Sequence, residues 1–71
     1  MTTGQKIARL RRERGMTQDG LADALGVSRQ AVSKWESDAA FPETEKLVRL
    51  SRLLECSIDY LLKPEDEPAQ E

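Results

Sequence analysis

Arg29, Gln30, Ser33 and Lys34 are the residues whose types and spacing most narrow what this chain can do. On an α-helix, at about 100° per residue, the four fall within an arc of roughly 140°, and Ala31, Val32 and Trp35 take the opposite side. One face is core and the other is open. A solvated face usually interleaves Glu with Lys, whereas these four include no carboxylate. They are donors suited to base edges and phosphates. Arg can pair bidentately with guanine and Gln with adenine in the major groove, each good pair giving about 1–3 kcal/mol of discrimination. A solvent-exposed helix face without a ligand is the competing reading of the wheel alone.

Positioning these side chains requires the segment Met16 to Glu36, which reads as two short helices joined by a tight turn. Gly26 follows the apolar run Leu21, Ala22, Leu25, where a helix ends best on a residue able to take positive φ. The same start signal occurs on either side of it: an apolar residue, a Ser or Thr N-cap, and an apolar residue four places after the cap. Met16-Thr17 with Leu21 is one case and Val27-Ser28 with Val32 the other, each the sequence form of a hydrophobic staple. Two stapled helices this close must pack at a steep angle. Gln18 sits on the wheel in the middle of the Leu21, Ala22, Leu25 stripe, not with Asp19 and Asp23. At the first helical position its side chain lies beside unpaired backbone N–H groups and the positive end of the helix dipole, a ready phosphate site. The alternative is a Gln lying over the staple and bonding the turn.

Met-Thr-Gln at 16–18, Leu-Ala at 21–22, Leu-Gly-Val-Ser-Arg-Gln at 25–30 and Val-Ser-Lys-Trp-Glu at 32–36 together resemble the Cro/C1-type (XRE) helix-turn-helix family of phage and bacterial repressors. The resemblance covers residues 4 to about 62. It implies an all-α, compact, five-helix lambda-repressor-like bundle whose second and third helices form the helix-turn-helix. It also implies that Gln18 and Ser28 contact the DNA backbone and that Arg29, Gln30, Ser33 and Lys34 face the groove, in agreement with the wheel. Many family members join an Arg and a Glu at the positions of Arg11 and Glu36 by a salt bridge, so the same pair is expected here. The partner so implied is double-stranded DNA, in the form of a palindromic operator. Two recognition helices in successive major grooves must sit about 34–36 Å apart, so a homodimer is expected at least on DNA.

Seventy-one residues make one small domain, and residues 1–63 are read as that domain. Cys56 is the single cysteine and histidine is absent, so no disulfide within the chain is possible and no metal site or cofactor is expected. No apolar run approaches the ~20 residues of a membrane span and the N-terminus lacks the apolar core of a signal peptide, so a cytoplasmic protein is expected. The net charge of −2 and pI near 5.1 run against the usual basic footprint of a DNA binder. Residues 1–36 hold seven basic side chains (Lys6, Arg9, Arg11, Arg12, Arg14, Arg29, Lys34) against four acidic ones, a net +3, while residues 37–71 hold four against nine, a net −5. The basic half coincides with the motif. The acidic stretch 64–71 reads as a disordered tail.

Elsewhere, Thr2 with Gln5 fits a capping box, and Ile7 and Leu10 mark the inner face of a first helix ending at Gly15. Arg11 and Arg14 share that face; Arg14 can snorkel from the last turn, but a buried Arg11 needs a carboxylate. A fourth helix is expected to follow Pro42, which itself suits a helix start, with Leu47, Leu50, Leu53 and Leu54 as its apolar positions. A third staple, Cys56-Ser57 with Leu61, opens a short last helix that includes Ile58, Tyr60 and Leu62 and stops at Pro64. Cys56 and Trp35 read as core, and Tyr60, Leu61 and Leu62 as candidate dimer contacts. Two departures from the family pattern stand out. The loop from Ser37 to Phe41 carries Asp38 where relatives often have Gly and a base, so backbone affinity should be modest, and Thr44 replaces a frequent aliphatic residue. The leading expectation is a sequence-specific DNA-binding regulator, most simply a repressor, reading the major groove with the helix 29–36. A protein-interaction module of the same fold, such as an antitoxin component or coactivator-like bridge, is the alternative. An enzyme is not expected, because no catalytic constellation is present.

Overall fold

The computed structural model describes residues 1–63, which form five helices: α1 (Thr3–Glu13), α2 (Gln18–Leu25), α3 (Arg29–Glu36), α4 (Thr44–Leu53) and α5 (Ile58–Leu62). The tail expected over 64–71 lies outside the described residues. Each predicted hydroxyl cap closes its helix. Thr2 accepts from the Gln5 N–H while Gln5 Oε1 accepts from the Thr2 N–H, completing the capping box. Thr17, Ser28 and Ser57 accept from the N–H groups of Gly20, Ala31 and Tyr60. Gly26 ends α2 at φ 71°, and Gly15 follows α1 at φ 70°. At both positions the left-handed conformation is what favours glycine.

The three staples recur as packing. Leu21, Val32 and Leu61 are fully buried, and Met16, Val27 and Cys56 lie half-buried against the core that they join. Ile7, Ala22, Leu25, Trp35, Leu47, Leu50 and Leu54 complete that core. Arg49 of α4 donates to the Ala24 carbonyl at 3.1 Å and the Leu25 carbonyl at 3.5 Å, placing a cation on the negative end of α2.

Two expectations for α4 are corrected. The helix starts at Thr44, with Glu43 as an N-cap that makes no side-chain bond, whereas Pro42 is buried two residues earlier and shapes the entry instead of opening the helix. Leu53 is 36% exposed because its wheel position lies beyond Leu50 at the flank of the inward stripe. Leu61, offered as a dimer contact, is fully buried and belongs to the monomer core.

A five-residue helix such as α5 cannot hold itself together in water. It is tied to α1. The Thr3 hydroxyl donates to the Leu61 carbonyl at 2.6 Å, and Lys6 Nζ donates to the carbonyls of Tyr60 (2.6 Å) and Lys63 while lying 4.5 Å from the centre of the Tyr60 ring. Lys6 is therefore 1% exposed, a buried cation satisfied by carbonyl dipoles and an aromatic face.

Candidate nucleic-acid interface

The expected reading face exists as a surface on α3. Arg29, Gln30 and Lys34 are exposed and Ser33 half-buried, while Val32 and Trp35 on the other side are buried. Gly26 and the stapled start at Val27-Ser28 set the direction in which α3 leaves α2. The Ser28 hydroxyl accepts from the Ala31 N–H at 3.2 Å, which leaves its own O–H to donate outward.

Behind this face lies a hydrogen-bonded network centred on Glu36. Arg11 Nε donates to Glu36 Oε2 at 2.7 Å and Nη2 to Oε1 at 3.1 Å, a bidentate pair whose side chains are only 12% and 8% exposed. The third guanidinium nitrogen, Nη1, donates to the Met16 carbonyl at 2.8 Å, in the turn that leads into α2. Gln18 Nε2 donates to Glu36 Oε1 at 2.9 Å. Glu36 thus fixes the side chain at the start of α2 from the end of α3. An amide nitrogen carries two protons, so Gln18 keeps one to offer beyond the protein. Neither reading of Gln18 from sequence anticipated this partner, since the wheel of one short helix carries no information about a residue 18 positions away.

Two acidic residues also take unforeseen places. Asp19 Oδ1 lies 3.6 Å from Arg29 Nε, an exposed pair across the turn. Asp38, at φ 63°, turns its carboxylate onto the start of α1. There it accepts from the Thr2 hydroxyl at 2.6 Å and from the Gly4 N–H at 3.0 Å. Asp and Asn tolerate this backbone region better than most residues.

The basic half of the sequence is smaller as a surface than as a sum. Lys6 is buried, Arg11 is committed to Glu36, Arg9 bonds the Tyr60 hydroxyl and sits 3.7 Å from Glu13, and Arg14 pairs with Glu55 at 3.2 Å. Arg12, Arg29 and Lys34 are the exposed bases of residues 1–36 that make none of these ties.

A family model described as helix-turn-helix matches residues 7–61. The transcriptional activator BcrR of Enterococcus faecalis is 41% identical over 66 residues, which are 93% of this chain and 32% of the relative. Repressor protein C2 of Salmonella phage P22 is 42% identical over 60 residues, 84% of this chain and 28% of the relative. The chain therefore spans about a third or less of the length of these two relatives. Among solved structures, the P22 c2 repressor in complex with a synthetic operator matches at a TM-score of 0.85 and 40% identity, covering 89% of this chain and 96% of that one. SinR of Bacillus subtilis in complex with DNA matches at a TM-score of 0.79 and 30% identity, covering 87% and 100%.

Proposed function

The chain belongs to the Cro/C1-type (XRE) helix-turn-helix family, and from that premise we propose that it is a sequence-specific DNA-binding transcriptional regulator, most simply a repressor that occludes a promoter. The family is one of DNA-binding regulators and not an enzyme class. The observation that carries the reading is the outward face of α3, where Arg29, Gln30, Ser33 and Lys34 offer donors on a helix whose other side is anchored in the core. In this proposal those four meet base edges in the major groove. Gln18, held by Glu36, and Ser28, with its free O–H, donate to phosphates at the starts of α2 and α3.

A palindromic operator read by a homodimer fits the geometry of such helices. Leu62, 46% exposed, and the half-buried Tyr60 are the surface that α5 has left for a second copy. No helix among the described residues is long and apolar enough to cross a membrane, and we place the protein's work in the cytoplasm, where its proposed target lies. Titration with random-sequence duplex over a series of salt concentrations tests the reading. Affinity should fall steadily as salt rises, through counterion release. Absence of duplex binding at low salt would instead favour the protein-interaction alternative.

A further inference from the structure

Asp19 stands in the first turn of α2 with its side chain 77% exposed, and its carboxylate faces Arg29, the first residue of the reading helix. The helix dipole accounts for an acid at that position but not for its partner. As an exposed ion pair it contributes little to stability. A carboxylate beside the DNA-facing end of α3 would also repel phosphates, a penalty in a chain already short of exposed base. Its effect differs if it acts through Arg29. The ion-pair contact involves Nε, so the two terminal nitrogens of the guanidinium are left as a fork of donors. A flexible arginine has many rotamers, and a charge held at its Nε reduces those that must be given up when the fork meets a base.

We propose that Asp19 is a specificity-positioning residue: it orients Arg29 so that its terminal fork selects the paired acceptors of a guanine edge. This rests on the assignment of α3 as the reading helix. The experiment is selection of bound duplexes from a random pool by the full chain, its Arg29→Ala variant, Asp19→Ala, Asp19→Asn and the Arg29→Ala/Asp19→Ala double variant. Arg29→Ala identifies the base pair that Arg29 reads. Asp19→Ala should melt only slightly below the wild type, by the loss of its helix-dipole interaction, and flatten preference at that same base pair by roughly tenfold, the scale of one base contact, with other positions unchanged. Asp19→Asn should do the same more weakly, and the double variant should be no flatter there than Arg29→Ala.

If Asp19→Ala instead strengthens binding to every duplex by one common factor and leaves all preferences intact, the carboxylate only repels the DNA backbone and the proposal is wrong. It falls equally if Arg29→Ala alters no position. A wild-type chain that selects no sequence removes the functional reading itself and this inference with it, whereas normal selection with an unaltered Asp19 variant removes only the inference.

Discussion

Glu36 holds three groups with two oxygens, and the energetic consequence follows from its burial. Glu36→Gln keeps the shape but strands the Arg11 charge among side chains that exclude most water, which should lower stability by about 3–5 kcal/mol. Urea or thermal unfolding measures it, and unchanged melting would refute a structural role for the pair. The need for a carboxylate was legible from Arg11 lying mid-helix on an inner face. Gln18 as a third member was not, because its bond crosses between two helices. Cys56 offers a separate check. Burial pushes its thiol above the ordinary range, an effect that the positive charges of Arg14 and Lys6 offset only in part. The native state then keeps the thiol proton to higher pH than the unfolded chain does, so stability contributed by Cys56 is complete below the unfolded value and declines as pH rises through the native one. Alkylation at mildly alkaline pH should be slower in the folded than in the unfolded protein, and Cys56→Ala should lack the alkaline decline. Equal rates would contradict the burial assigned to this staple.

Four of the five helix starts among the described residues were readable because a cap and its target lie three residues apart: Thr2, Thr17, Ser28 and Ser57 each act within their own first turn, whereas α4 has no such cap. The contacts that dock one helix on another were not, since they join distant positions with no period. Asp38 bonds the start of α1 from the loop after α3, and what read as a lost phosphate contact is a long-range cap. Gly4 shows the same closeness. A Cβ there would lie 2.3 Å from the Trp35 carbonyl oxygen and 2.7 Å from that of Glu36, both backbone atoms that cannot swing aside. Gly4→Ala should therefore force α1 off the end of α3 and cost about 1–3 kcal/mol. Asp38→Ala should cost about 0.5–2 kcal/mol as a lost cap, with Asp38→Asn in between because it keeps an acceptor and the tolerance for positive φ. Denaturant midpoints decide both, and a wild-type midpoint for either alanine variant would show that the α1–α3 junction is looser than described. Lys6 belongs to this group too: counted by charge it looked like part of a DNA footprint, yet it holds α5 to α1.

For the molecule as a whole, the acidic pI and the committed bases set how much affinity can come from charge. With Lys6 and Arg11 locked in the fold, at most five of the seven bases in residues 1–36 can neutralise phosphates. That half should then contribute no more than about −4.5 per protomer to the slope of log affinity against log salt. Binding should lean instead on groove contacts and on pairing of two copies. That division of labour on one surface is the central claim, and one comparison tests it most directly: affinities of Arg29→Ala and Gln18→Ala for a selected operator and for duplexes altered at single base pairs. Arg29→Ala should lose discrimination at one base pair, by about 1–3 kcal/mol, whereas Gln18→Ala should weaken binding to every duplex by the same factor. The same uniform loss from both variants would contradict the account.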